Sequence, residues 1–232
     1  MRTRASIVFD MDGVLVDVQA SYIATVVETV RSLSGRPIDV SAIHDYKAAG
    51  GWNDDWALAQ HLVGQLGVAL SYEDVGREFQ RIFLGTNGDG LIQRERWMPT
   101  DKTMDSLSAS FGFAIFTGRP REEAEYTLQR NASAYSFDPI VAANDAAPKP
   151  APDGLLLIRQ RLEGWVVYVG DSVDDARSAN AARVPFIGVR SAHSSSARVV
   201  DAFKELGAID IIDDINDLPS ALEAARASLP FR

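Results

Sequence analysis

The chain has 232 residues, and 46% of them are hydrophobic, which is enough to fill the core of one sizeable domain or of a domain with an insertion. Its formal net charge of −9 argues against a protein that binds the phosphate backbone of nucleic acids, because such proteins carry basic surfaces. The absence of cysteine excludes disulfides and thiolate metal sites.

Nothing in the sequence predicts association with a membrane. No stretch of about 18 apolar residues could span a bilayer. The segment Met1–Ser6 is basic and precedes an apolar run, but this run ends at Asp10 and is too short for a signal peptide. We therefore expect a cytoplasmic protein with neither nucleic-acid nor membrane partners.

The first predicted element is a strand that leads directly into two acids. The apolar run Ile7–Phe9 is followed by Asp10 and Asp12, and open α/β sheets keep their active sites at the carboxyl ends of such strands. Buried carboxylates are costly without a partner, and a hard divalent cation is the simplest one. Taken alone, the pattern is also explained by a turn that Asp10 and Asp12 cap, with Gly13 at positive φ.

The next stretch of the chain has a helical apolar period and no strand pattern from 19 to 84. Helices are predicted from about Tyr22 to Leu33, from about Asp54 to Leu66 and from about Tyr72 to Leu84. A turn-rich segment, Gly85–Gly90, follows them. We therefore expect residues 18–94 to form an α-helical domain inserted after the first strand, between the core segments 1–17 and 95–232.

From residue 95 onward, predicted helices and strands alternate. The predicted strands are Phe111–Phe116, Pro139–Ala142, Trp165–Val169, Pro185–Val189 and Ile209–Ile212. The predicted helices lie near Thr100–Ala109, Pro120–Asn131 and Pro152–Leu162, after Asp171, and at the end of the chain. Alternation of this kind predicts a doubly wound, Rossmann-like parallel sheet covered on both faces.

Three further motifs follow apolar runs in this second half of the chain. They are Thr117-Gly118-Arg119-Pro120, Pro148-Lys149-Pro150 and Gly170-Asp171-Ser172-Val173-Asp174-Asp175. With the first pair of acids they supply a nucleophile, a hydroxyl, a lysine and a second acidic pair, which together suit phosphoryl transfer. The set resembles the haloacid dehalogenase superfamily of aspartate-nucleophile phosphatases, whose four motifs are all present, and in particular its helically capped, phosphoglycolate phosphatase-like members.

The resemblance implies a role for each motif residue. Asp10 would attack the phosphorus, and Asp12 would protonate the leaving alcohol and then activate water. Thr117, the amide of Gly118 and Lys149 would hold phosphoryl oxygens. A surface lysine in a proline-bounded loop is the alternative for Lys149.

The resemblance also implies a Mg²⁺ site. The expected ligands are Asp10, the backbone carbonyl of Asp12, and Asp171. Asp175 would complete the motif in a supporting role, and Asp174 is expected to face solvent. Because the dehalogenases of the family lack the second aspartate, Asp12 disfavours carbon-halogen chemistry.

Two groups of residues are candidates for substrate specificity. The motif Thr117-Gly118-Arg119-Pro120 differs from the Ser/Thr-Asn version that is common among helically capped members. Arg119 would contact a second anionic group of the substrate or pair with Glu122 or Glu123. In the inserted domain, the predicted loop Lys47–Asn53 offers Lys47, Trp52 and Asn53. The alternative is that Trp52 packs inside this domain and that Lys47 is solvated.

The function expected from these residues is a magnesium-dependent phosphatase that hydrolyses a small phosphorylated metabolite through an aspartyl-phosphate. A phosphomutase of a sugar phosphate would use the same aspartates and is the main alternative. A receiver-like signalling module also clusters Asp, Thr and Lys, but it would leave the helical insertion and Asp12 unexplained. We expect a monomer or a homodimer.

Overall fold

A computed structural model describes residues 5–190 and 197–225 of the chain. The chain divides into two compact units. The first comprises the residues up to Val16 and from Trp97 onward, and the second is the inserted unit Asp17–Arg96. Among the described residues, none of the helices combines the length and the apolar character that crossing a bilayer requires.

The elements are as follows, in chain order. The strands are β1 (Ser6–Phe9), β2 (Val16–Asp17), β3 (Arg96–Trp97), β4 (Gly112–Phe116), β5 (Phe137–Val141), β6 (Val166–Gly170), β7 (Phe186–Val189) and β8 (Asp210–Ile212). The helices are α1 (Ala24–Ser34), α2 (Val40–Ala49), α3 (Asp55–Gln65), α4 (Tyr72–Leu84), α5 (Asp101–Ser108), α6 (Arg121–Ala132), α7 (Asp153–Arg161), α8 (Val173–Ala182), α9 (Ala197–Glu205) and α10 (Leu218–Ala225).

The first unit is built on a six-stranded parallel sheet in the order β5-β4-β1-β6-β7-β8. The side chains of Ile7, Val8 and Phe9 are completely buried, as expected for a central strand covered on both faces. Because β1 lies between β4 and β6, the strand order reverses at β1, which is where open α/β sheets place their ligands. The predicted doubly wound parallel-sheet core is confirmed.

Strand β5 begins before the predicted Pro139. It starts at Phe137 and contains Pro139, which has no N–H to donate to a neighbouring strand. This is tolerated because β5 lies at the edge of the sheet. The predicted short strand near the end of the chain is confirmed as β8 at the opposite edge.

The inserted unit is formed chiefly by helices. Helix α1 packs against α3 and α4, as the predicted apolar faces require. The ring of Tyr22, in a π-helical turn before α1, lies 4.2 Å from the ring of Phe83 and 5.8 Å from that of Phe79, measured between centroids. The two ends of this unit are joined by an ion pair of 2.7 Å between Arg96 Nη2 and Asp17 Oδ2.

The prediction that a loop begins at Lys47 is wrong. Residues up to Ala49 belong to helix α2, which the sequence did not reveal because Ile43 is its one buried residue and its apolar period is weak. Asp39 caps the helix directly before Val40, because its carboxylate accepts a hydrogen bond from Ser41 N. The loop is therefore limited to residues 50–54, and it opens with two glycines at positive φ.

Candidate active site

The motif residues follow neighbouring strands of the sheet. Asp10, Thr117 and Asp171 come directly after β1, β4 and β6. In the sheet register, Phe9 pairs with Ile115 on one side and with Val169 on the other, so the carboxyl ends of the three strands are level. The structure thus brings the first, second and fourth motifs to one edge of the sheet.

Lys149 lies between two of the buried carboxylates. Its Nζ is 2.9 Å from Asp10 Oδ1 and 2.7 Å from Asp175 Oδ1, and its side chain is 1% exposed. The ammonium also lies 5.0 Å from the ring centroid of Phe116 and 5.5 Å from that of Tyr168. A solvated surface lysine, the alternative considered above, is therefore not what the structure contains.

Burial and the neighbouring charges shift the pKa values of Asp10 and Lys149. Burial raises the pKa of Asp10 to about 7, because it outweighs the opposing effect of the Lys149 charge. Burial also acts on Lys149 and lowers its pKa, but the charges of Asp10 and Asp175 outweigh it and raise the pKa above its ordinary value. Lys149 therefore pairs with Asp10, but burial still leaves the pKa of this carboxyl raised.

Asp175 is held in place by several hydrogen bonds. Its Oδ2 accepts hydrogen bonds from Ser172 N at 2.9 Å and Ser172 Oγ at 2.6 Å, and its Oδ1 accepts one from the Tyr168 hydroxyl at 2.6 Å. Burial raises the pKa of Asp175, but Lys149 and these donors more than offset it and keep the pKa below its ordinary value. Asp175 therefore holds Lys149 and the start of α8 together.

The approach of Asp175 to the sheet requires a glycine at position 170. A Cβ on Gly170 would lie 2.6 Å from the Cβ of Asp175, far inside van der Waals contact. Gly170 thus permits α8 to begin close to the end of β6, which brings Asp175 within reach of Lys149.

Three carboxylates of the site have the chemistry of a cation site. Asp10, Asp171 and Asp175 each offer an oxygen, and these oxygens lie within 4.8 Å of one another at buried positions. Hard divalent cations prefer such oxygen ligands. Both oxygens of Asp175 already accept hydrogen bonds, and its Oδ1 also contacts Lys149.

Asp12 lies on the turn that follows β1. Gly13 has a φ of 75°, and Met11 O accepts hydrogen bonds from Leu15 N at 2.8 Å and Val16 N at 2.9 Å. The turn with Gly13 at positive φ, which was the alternative explanation of this motif from the sequence alone, is therefore present. The side chain of Asp12 is 31% exposed, whereas Asp10 is buried.

The carboxylate of Asp12 contacts Arg119, a partner that neither sequence alternative for this arginine named. Nε and Nη2 of Arg119 lie 2.7 Å and 2.5 Å from Asp12 Oδ1. Nη1 donates to Thr127 Oγ1 at 3.0 Å, and Arg119 as a whole is 1% exposed. Arg119 is therefore a buried residue that links Asp12 to helix α6 through Thr127.

The two phosphate-binding candidates of the second motif differ in exposure. Thr117 is 2% exposed, and its Oγ1 accepts a hydrogen bond from Arg119 N at 3.2 Å. Gly118 is exposed at the end of the same strand.

The prediction that Asp174 faces solvent is wrong. Its side chain is 3% exposed, and its Oδ1 lies 3.2 Å from Nη1 of Arg177, one helical turn further along α8. Asp174 and Asp175 are both buried in the first turn of α8.

Two of the three candidates in the inserted unit, Lys47 and Trp52, have partners within that unit. Lys47 Nζ lies 2.8 Å from Oδ1 of Asp55, which is 9% exposed. The ring of Trp52 lies 5.3 Å from that of Tyr46 and 4.7 Å from that of His61, measured between centroids. Asn53 is half-buried. Whether Lys47, Trp52 or Asn53 contacts substrate stays a prediction.

Phe116, Thr127 and Tyr168 were not singled out from the sequence, although each contacts a motif residue. Phe116 directly precedes Thr117 in the sequence. Tyr168 stands two positions before Gly170, and this spacing on a strand places Tyr168 and Gly170 on the same face of the sheet. A large aromatic residue at such positions in a buried strand is the signal that could have revealed them. Thr127 gave no signal, since its contact with Arg119 depends on the packing of α6.

Comparison with known proteins identifies relatives of the chain. A family model described as "haloacid dehalogenase-like hydrolase" matches residues 5–183. The chain is 27% identical over 231 residues to the N-acetylmuramic acid 6-phosphate phosphatase of Pseudomonas aeruginosa, covering 92% of this chain and 96% of that protein. It is 29% identical over 206 residues to an imidazoleglycerol-phosphate dehydratase of Phytophthora nicotianae. That match covers 84% of this chain but 45% of the relative, so the chain spans about half the length of that protein.

A solved structure shows the same fold. The crystal structure of a "predicted phosphoglycolate phosphatase" from Haemophilus somnus 129PT superposes with a TM-score of 0.73 at 18% sequence identity, covering 95% of this chain and 98% of that one. The resemblance inferred from the motifs is thereby confirmed. Since the family model covers most of the residues, the chain is an enzyme and belongs to the haloacid dehalogenase-like hydrolase family.

Proposed function

We propose that this hydrolase is a magnesium-dependent phosphatase that cleaves a small phosphomonoester through an aspartyl-phosphate on Asp10. The observation that carries the proposal is the buried cluster in which Lys149 lies between Asp10 and Asp175, beside Asp171. Lys149 pairs with two of the three carboxylates of this cluster, so the cluster is suited to one added cation and to the phosphoryl group that would follow it.

In the first step, an oxygen of the Asp10 carboxylate would attack phosphorus while the bond from phosphorus to the ester oxygen breaks. The electron pair of that bond remains on the leaving oxygen, and Asp12 would donate a proton to it. In the second step, water would attack the same phosphorus and lose a proton to Asp12 while the bond from phosphorus to the Asp10 oxygen breaks. The electron pair of that bond returns to the Asp10 carboxylate, and inorganic phosphate is released.

The residues that would hold the ion are Asp10, the backbone carbonyl of Asp12, and Asp171. When bound, Mg²⁺ would neutralise charge between the carboxylate and the phosphoryl group, two anions that otherwise repel. The Thr117 hydroxyl, the Gly118 amide and the Lys149 ammonium would bind the phosphoryl oxygens. Asp175 would keep Lys149 oriented.

The class of substrate is supported by the relatives. The Pseudomonas relative, which this chain matches over nearly its whole length, is named as a phosphatase of a sugar phosphate. We therefore propose a small phosphorylated metabolite, such as a sugar phosphate or a phosphoglycolate-like ester. The proposal takes no activity from the dehydratase relative, of which less than half is matched.

The test is a panel of phosphomonoesters incubated with the purified protein and Mg²⁺, scored for released inorganic phosphate. We expect release from at least one small ester, and no release by the Asp10→Asn variant, because the amide keeps the volume of the side chain but not its charge or nucleophilicity. Thermal unfolding of the variant verifies that it is folded.

Two results would contradict the proposal. If Asp10→Asn kept more than about a tenth of the wild-type rate, it would remove the nucleophile assignment, since loss of a nucleophile costs far more. If labelled sugar phosphates yielded an isomer in place of free phosphate, the phosphomutase alternative would replace the phosphatase.

A further inference from the structure

We propose that Arg119 is a positioning residue that orients Asp12 for proton transfer. This inference rests on the proposed phosphatase activity, in which Asp12 exchanges a proton with the leaving group and with water. The observation that carries it is the contact of Nε and Nη2 of the buried Arg119 with Asp12 Oδ1, at 2.7 Å and 2.5 Å.

Arg119 is fixed at both its backbone and its side chain. Its backbone N donates to Thr117 Oγ1 at 3.2 Å, and its carbonyl accepts from Ala143 N at 2.9 Å. At the far end of the side chain, Nη1 donates to Thr127 Oγ1 at 3.0 Å. The guanidinium therefore reaches Asp12 from a rigid support.

The contact between the two side chains is also hard to break. A guanidinium stays charged at every accessible pH. Arg119 is 1% exposed, so solvent and salt screen its ion pair with Asp12 less than they screen an ion pair at the surface. A direct contact with a substrate anion, one of the roles expected from the sequence, would require Arg119 to leave this buried position.

The geometry leaves one oxygen of Asp12 for chemistry. Both contacts fall on Oδ1, whereas the side chain as a whole is 31% exposed. We assign Oδ2 as the oxygen that exchanges the proton, and Arg119 as the group that prevents rotation of the carboxylate. A displacement of about 1 Å in a reacting group costs on the order of 10²-fold in rate, so this restraint has a measurable effect.

The test uses the leaving group as a reporter. A primary alkyl phosphate needs a proton on its leaving oxygen, whereas 4-nitrophenyl phosphate does not. The quantity to compare is kcat/KM, because it covers the steps up to phosphoryl transfer and excludes hydrolysis of the phosphoenzyme. For Arg119→Met, we expect kcat/KM to fall about 10²-fold for the alkyl ester and to change little for the aryl ester.

Arg119→Lys, Asp12→Asn and a control complete the experiment. Arg119→Lys keeps the buried charge but not the two N–H contacts, so it should show the same selective loss and serves if Arg119→Met does not fold. In the Asp12→Asn background, Arg119→Met should add no further loss. The control is Arg121→Met, because Arg121 is 43% exposed and pairs with Glu125 and Asp145 at the surface.

The outcomes separate this inference from the function on which it rests. If wild-type protein hydrolysed neither ester, the proposed function would fail. If wild-type protein were active but the Arg119 variants lost both esters in parallel, or lost further activity in the Asp12→Asn background, Arg119 would be structural and the inference would be overturned.

Discussion

At the scale of single residues, the site is a buried cluster in which one lysine pairs with two carboxylates. Lys149 pairs with both Asp10 and Asp175, and Asp175 also accepts three hydrogen bonds from Ser172 and Tyr168. The result is a pKa of about 7 for Asp10, raised by burial, in the protein without a bound ion. This residue should therefore make stability depend on pH.

The sign of this pH dependence follows from proton binding. Between 3.8, the ordinary pKa of an aspartate, and about 7, the folded protein keeps the Asp10 proton whereas the unfolded chain has released it. Because the folded state binds more protons, this group should lower the free energy of unfolding as pH rises through that window. We expect the effect in urea unfolding with excess chelator, from pH 5 to 7.

The matched variant for this measurement is Asp10→Asn, which cannot titrate. Subtracting its free energy of unfolding from that of the wild type at each pH isolates Asp10 from other groups, such as His44. A difference that does not change with pH, or one that shifts in favour of the wild type as pH rises, would show that Asp10 is not protonated in the folded state.

At the scale of elements, the start of helix α8 links stability to activity. Ser172 caps this helix: its Oγ accepts a hydrogen bond from Asp175 N at 3.1 Å and donates one to Asp175 Oδ2 at 2.6 Å. Ser172→Ala should destabilise the protein by about 0.5–2 kcal/mol, the usual cost of an N-cap. It should also lower kcat, because Asp175 would hold Lys149 less firmly.

A second helix of the same unit provides the control. Thr100 caps α5, where its Oγ1 accepts a hydrogen bond from Thr103 N at 3.2 Å, and it is not part of the site. Thr100→Ala should cost a similar free energy of unfolding in urea and leave kcat unchanged. Equal kcat for the two variants would contradict the role of the α8 cap in the site.

The loop after α2 in the inserted unit is the place to test specificity. Trp52→Ala should lower kcat/KM for the best ester of the panel. The loss should correspond to about 1–3 kcal/mol of transition-state stabilisation, the scale of one lost pocket contact. Hydrolysis of 4-nitrophenyl phosphate should change little. The control is Trp56→Ala, which removes packing against Tyr72 and Phe79 in the same unit.

The alternative has a clear signature in these measurements. Since Trp52 packs on Tyr46 and His61, its loss could act through the stability of the inserted unit alone. Parallel losses for both esters, as expected for Trp56→Ala, would mean that Trp52 is a packing residue and not a specificity residue.

At the scale of the whole molecule, the parallel sheet gathers acids that are far apart in the chain. Asp10 and Asp171 are brought together because β1 and β6 are paired in register. Excess chelator should therefore abolish phosphatase activity, and Mg²⁺ should restore it. Ca²⁺ should restore it poorly, because its larger and looser coordination misplaces the nucleophile.

The metal prediction has a readout that does not depend on turnover. Mg²⁺ should raise the midpoint of thermal unfolding of the wild type, because a ligand that binds the folded state stabilises it. The increase should be smaller in Asp171→Asn, which lacks one proposed ligand. Full activity in excess chelator, or an equal increase in both proteins, would refute the assigned ion site.

The sequence by itself determined the class of fold and the core of the site. Alternating apolar runs and helical periods predicted the parallel sheet, because these patterns depend on local spacing. The motif acids Asp10 and Asp171, together with Thr117, could be placed because each directly follows a strand, and the carboxyl ends of parallel strands meet at one edge of a sheet. Helix α2 escaped prediction because it buries little and has no clear apolar face.

Only the tertiary structure decided which side chains are partners. Arg119 and Asp12 are separated by 107 positions, and nothing in the sequence indicated that their side chains are in contact. The burial of Asp174 and the position of Lys149 beside the rings of Phe116 and Tyr168 also depend on how helices and loops pack on the sheet. Local sequence records residue type and spacing, whereas charge pairing depends on distances that exist only once the chain has folded.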